Sequence, residues 1–178
     1  MFSLRPDPAG IRRIFPVSAL GMALGCGMAI GEAHADSTCG VLSATYLLTA
    51  LNSDGLFAAR QLITLTEDRN VIVDDSAEGG VPGVFNPFTT AQGTWECESR
   101  SSPIQADATA LFFSLPGSVS GGQTIGRIDY EITLHAVSKS ISGTIDLRFY
   151  PLTGNPLAAP LSAPNASFTF TGVRVKRN

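Results

Sequence analysis

Apolar and polar residues alternate along residues 126–150, GRIDYEITLHAVSKSISGTIDLRFY. In the first arm Ile128, Tyr130, Ile132, Leu134 and Ala136 alternate with Arg127, Asp129, Glu131, Thr133 and His135. In the second arm Ile141, Ile145, Leu147 and Phe149 alternate with Ser142, Thr144, Asp146 and Arg148. A period of two over runs this long predicts two half-buried antiparallel strands. The apolar positions are even in one arm and odd in the other. Opposed residues share a face, so their numbers must sum to an odd value. Pairing Ile132 with Ile145 satisfies this. It sets Tyr130 against Leu147 and Ile128 against Phe149. Outside, Asp129 then meets Arg148 and Thr133 meets Thr144, at the small cost of Glu131 facing Asp146. The turn around Ser138-Lys139 holds an even number of residues.

The same period places further strands at 41–51, 56–66, 71–73, 91–98, 104–115 and 167–175. Turn chemistry separates them: Asn52-Ser53-Asp54-Gly55, Asp68-Arg69-Asn70 and Ser101-Ser102-Pro103. Two longer loops, 74–90 (DDSAEGGVPGVFNPFTT) and 151–165, are rich in Gly, Pro and Asn. A flexible loop covers 116–122. With the central hairpin this makes eight strands in sequence and no room for a substantial helix. An open sheet of that size would leave two bare edges, and closure removes them. The expected fold is therefore all-β: a single eight-stranded antiparallel up-and-down barrel, with a two-sheet sandwich as the alternative. An eight-stranded barrel is either filled by side chains or holds one small ligand.

The first 35 residues break this pattern. Arg5, Arg12 and Arg13 precede an apolar run at 17–30, and Ala33-His34-Ala35 forms an A-x-A cleavage signal before Asp36. That is the layout of a secretory signal peptide. The run is short for a stable membrane anchor. Arg12-Arg13-Ile14-Phe15 also resembles the twin-arginine motif, with Pro16 as a departure. Cys26 lacks the leucine a lipobox wants, since Ala23 stands there, and is read as part of the discarded segment. The domain is then residues 36–178, and the expected location is secreted or periplasmic. Of the 12 basic and 15 acidic residues, three basic and two acidic lie in the first 35. The remaining 143 residues carry 9 against 13, a net charge of −4. There is no basic run beyond Arg174-Val175-Lys176-Arg177, so nucleic acid is not an expected partner. Two cysteines remain, Cys39 and Cys97. In an exported chain a disulfide between them is expected, contributing ~4 kcal/mol on the chain-entropy account.

Ala91-Gln92-Gly93-Thr94-Trp95, the hairpin 126–150 and the ending Phe168-Thr169-Phe170-Thr171-Gly172 together resemble the calycin-like barrels. In layout the chain is closest to the allene oxide cyclase and dirigent barrel class. Lipocalins carry their G-x-W near the first strand, whereas here it falls in the fourth. The resemblance implies a barrel with an apolar central cavity. It admits both ligand binders and a cavity-type cyclase or isomerase, and fold alone does not choose between them.

The residues exclude several chemistries. His135 is the one histidine after the leader and should face outward, so a histidine-based zinc site and a Ser-His-Asp triad are not expected. No P-loop or dinucleotide fingerprint occurs, and no cofactor is indicated. Asp74, Asp75 and Glu78 are read as a solvated turn, with a calcium loop as the alternative. The candidate ligand contacts are Trp95, Gln61, Phe85 and Phe88. Gln61 shares the face of Phe57, Ala59, Ile63 and Leu65, so an amide enters an apolar interior and needs partners. Trp95 would line the interior. Phe85 and Phe88 lie in a loop that does not need aromatics for a strand, and would plug or cover one mouth. No catalytic residue is assigned. The expected role is binding of a small apolar ligand, or a structural or interaction role, with a cyclase as the alternative.

Overall fold

A computed structural model describes residues 39–99, 102–117, 122–160 and 162–176. The expected leader, 1–35, lies outside the described residues. Eight strands close into an antiparallel barrel in sequence order: β1 (Ala44–Leu51), β2 (Phe57–Leu65), β3 (Asn70–Asp75), β4 (Ala91–Ser99), β5 (Ile104–Phe113), β6 (Thr124–His135), β7 (Ser140–Pro151) and β8 (Ala166–Arg174). β8 returns to pair with β1, with Leu47 opposite Val173 and Thr49 opposite Thr171. Closure leaves no sheet edge to cap.

The barrel has two unlike ends. The β2–β3, β4–β5 and β6–β7 turns lie at the lower end, with the chain entering and leaving there. The longer loops, 76–90 and 152–165, lie at the upper end. Strand one was expected from residue 41, but Cys39–Leu42 forms a 3-10 turn instead. Its Cys39 and Leu42 are fully buried under the lower end. The Tyr46 hydroxyl donates to the Leu42 carbonyl at 3.1 Å and holds the turn there. A disulfide joins Cys39 to Cys97 on β4, with Cα atoms 6.2 Å apart.

The β6–β7 hairpin keeps the expected parity but sits two residues from the expected register. Ile132 faces Gly143, and Ile145 faces Tyr130. Four residues, Ala136, Val137, Ser138 and Lys139, form the turn, with Lys139 at φ 53°. In the expected register the turn would centre on Ser138-Lys139, as two residues or as four (137–140), whereas the observed turn centres one residue earlier. The two-residue form demands positive φ at residues like Gly, Asn or Asp, which this pair does not supply. The shift places Asp129 opposite Asp146 and Arg127 opposite Arg148. Diagonal pairing resolves the clash of like charges. Asp129 binds Arg127 and Arg148, each at 2.8 Å, and Arg148 reaches Asp146 at 3.4 Å.

The interior fills by matching large against small. β5 presents Ala106, Ala108 and Ala110, which leaves room for Trp95 of β4 and Tyr130 of β6. A side chain at Gly126 would overlap the Phe112 ring beside it, so Gly126 is the space that ring needs. Tyr46, Ile63, Leu65, Val71, Trp95, Tyr130, Ile132 and Ile141 are buried almost completely. Side chains therefore pack the lower and middle interior.

Candidate functional site at the upper mouth

Inward-facing positions become more exposed toward the upper end. Along β2 Ile63 is buried, Gln61 7% exposed and Ala59 half-buried; a register shift at Ala50/Leu51 sets Phe57 opposite the outward Leu51, off the Gln61 face it was expected to share. Along β7 Ile145 is buried, Leu147 half-buried and Phe149 43% exposed. The upper mouth is thus the place where the barrel interior meets solvent.

A polar chain crosses the interior just below it. Gln61 stands directly opposite Asp75 on β3. Its Nε2 donates to Asp75 Oδ2 at 2.7 Å. Its Oε1 accepts from the Tyr130 hydroxyl at 3.1 Å, from the far wall. This fixes the amide orientation, because a carboxylate only accepts and the phenol donates. Burial pushes the Tyr130 phenol far above its ordinary value. The Asp75 charge pushes the same way, and the Gln61 hydrogen bond opposes both. Tyr130 is therefore a fixed proton donor. The Asp75 carboxylate also accepts from the Ala77 amide at 2.7 Å, and the Asp75 amide donates to Glu78 Oε1 at 3.2 Å.

Aromatic rings flank this chain. Phe112 points inward near the top of β5. Phe88 packs on it with centroids 4.9 Å apart, and Phe85 lies 6.1 Å from Phe88. Phe149 meets Phe112 edge-on at 6.1 Å. The Phe88 amide donates to the Glu78 carbonyl at 2.9 Å, tying the aromatic part of loop 76–90 to its acidic start. Phe88 also bridges to Ser114 after β5.

Of the sequence candidates, Gln61, Phe85 and Phe88 come together at this end, and Trp95 does not. Trp95 lies at the lower end, with Nε1 donating to the Thr66 carbonyl at 3.0 Å and the Arg69 guanidinium 4.3 Å above its ring. A separate lower-rim groove of about 380 Å³ runs past Arg69, Thr94, Trp95, Glu96 and Cys97. Asp75 was missed as a site residue, because 74–90 was expected to be all loop. In fact β3 continues through Asp75. The alternation Val71, Val73, Asp75 was the available signal. The carboxylates of the expected acidic turn diverge. Asp74 accepts from Thr90 at 2.8 Å outside, and Asp75 points inward. Among the described residues no group of three or more His, Cys, Asp or Glu is placed to hold a metal ion.

The fold defines the class: a closed eight-stranded antiparallel up-and-down β-barrel. No known protein family, curated protein or solved structure matches the chain.

Proposed function

We propose that this chain is an exported barrel that holds a small, largely apolar ligand at its upper mouth. The ligand's apolar body would rest on Phe85, Phe88 and Phe149. A hydrogen-bond donor on it would meet Asp75, which Gln61 and Tyr130 hold in place. The observation that carries this reading is Asp75, a half-buried inward carboxylate positioned by a buried amide, beside rings that the fold leaves partly exposed. Small-molecule sites combine apolar lining with a few placed polar groups in this way. The Cys39–Cys97 disulfide is compatible with an oxidising compartment, which supports the reading of 1–35 as a leader. Membership of the calycin-like class rests on barrel layout alone.

Binding is tested by following the Gln61 side-chain amide by NMR while titrating apolar amines and alcohols. Saturable shifts are expected, weakened at least tenfold by Phe88→Ala. If no compound moves that signal, the proposed site is lost. Trp95 emission should stay unchanged, since Trp95 sits at the opposite end.

A cavity-type cyclase, which the resemblance to allene oxide cyclase implies, is the second reading. The inward carboxylate favours it, with Asp75 as the charged group, positioned by Gln61 and, through it, Tyr130. The packed middle of the barrel favours binding over confinement of a whole substrate. Asp75→Asn separates the two: a cyclase would lose turnover and keep its ligand.

A further inference from the structure

The outer wall of a barrel is convex, so a depression there needs low residues between tall ones. One such groove, of about 430 Å³, runs over β8, between Arg60 on β2 and His135 on β6. The register explains its lining. Arg60, Thr49, Thr171 and Ser142 form one cross-strand row from β2 to β7. Leu47, Val173, Ser140 and His135 form the next row. None of the residues lining the groove is acidic, although the chain as a whole is negatively charged.

Its polar groups are already arranged. Arg60 Nη1 donates to Thr49 Oγ1 at 2.6 Å. His135 Nε2 and Ser142 Oγ lie 2.7 Å apart. Arg60 has no carboxylate within ion-pair distance among the described residues. An unpaired guanidinium presents a planar fork of donors that matches a carboxylate. Four hydroxyls beside it, from Thr49, Thr171, Ser142 and Ser140, can donate or accept. Leu47 and Val173 are 37% and 61% exposed and give the groove an apolar strip.

We propose that this groove binds a hydroxylated carboxylate of the uronate class, one or two sugar rings in size. The carboxylate pairs with Arg60, and sugar hydroxyls meet the Thr49, Thr171, Ser142 and His135 groups. The C–H face of a ring lies on Leu47 and Val173. A fully apolar ligand would leave the hydroxyl row unused, and a cation would face Arg60. The volume falls within the range of small-molecule sites. This site is separate from the upper mouth.

The test uses the His135 ring signals by NMR in the full protein, titrated with digalacturonate. Saturable shifts are expected, while the neutral digalactose leaves them in place. Arg60→Ala should weaken binding at least tenfold, with Arg60→Lys retaining part of it. Unchanged Trp95 emission would show that both variants are folded. Phe88→Ala should leave the titration as it is. No His135 shift, equal binding of the neutral sugar, equal binding by Arg60→Ala, or loss on Phe88→Ala would each overturn the proposal.

Discussion

Gln61 shows how much one side chain can be asked to do. It is the only described residue that bonds both Asp75 on the neighbouring strand and Tyr130 across the barrel. Replacing it with leucine keeps the volume and removes both partners. The Tyr130 hydroxyl and Asp75 Oδ2 would then lose the amide, and a buried group left unsatisfied costs about 1–3 kcal/mol. Gln61→Leu should lower the urea midpoint by a corresponding amount. An unchanged midpoint would mean that water takes the place of the amide. The sequence exposed Gln61 because an amide on an apolar face is anomalous. It hid Asp75, because two adjacent acids before a Gly/Pro-rich stretch look like the start of a loop. It also could not show the Tyr130 contact. That contact depends on which strands face each other across a closed wall, not on spacing along the chain.

At the scale of elements, alternation settled which faces of β6 and β7 are buried, and so the parity of their pairing, but it could not show the bulge that turns Phe57 out of the Gln61 face. Register needs a second constraint, the geometry of the turn. Both a two-residue and a four-residue turn satisfy parity; the absence of Gly or Asn at Ser138-Lys139 disfavours the two-residue turn there, and the four-residue turn that forms is 136–139. The register then gives Gly143 its place. A side chain there would overlap the Glu131 carbonyl on β6 and crowd the Phe170 ring, whose Cε1 lies 3.1 Å from the Cβ position. Gly143→Val should therefore destabilise the barrel despite valine's preference for strands, by about 1–3 kcal/mol or more, as overpacking does. Equilibrium unfolding measures it. A stabilised variant would indicate that the hairpin pairs as first expected, with Ile132 opposite Ile145. The strap 152–165 follows the same logic: Arg127 donates to the Pro156 carbonyl at 2.9 Å, so the outer wall of β6 holds a loop that sequence alone leaves unplaced.

For the whole molecule, eight alternating segments with short connections were enough to imply closure. They were not enough to say whether the interior is open. That depends on summed volumes, with Trp95, Tyr46 and Tyr130 set against the alanines of β5. The outer wall is likewise uneven in a way the net charge conceals. The hydroxyl rows lie over β1, β7 and β8, whereas β4 to β6 carry an acidic row: Glu96 faces Asp107, which faces Glu131. Asp107 is held above the ordinary carboxylate value of 3.8, first by partial burial and then by Glu98 and Glu131. The folded barrel therefore keeps a proton on Asp107 at a pH where the unfolded chain has released it. Wherever the native state binds more protons, stability falls as pH rises. The loss from this group should run upward from about the ordinary carboxylate value through the raised one, and persist at neutral pH. Asp107→Asn removes the titrating group and relieves the repulsion. The variant should be more stable than the parent at neutral pH, and its stability should fall less across the carboxylate range. Urea unfolding at a series of pH values reads both effects. A variant with the parent's slope and no gain at neutral pH would show that solvent already screens the acidic row.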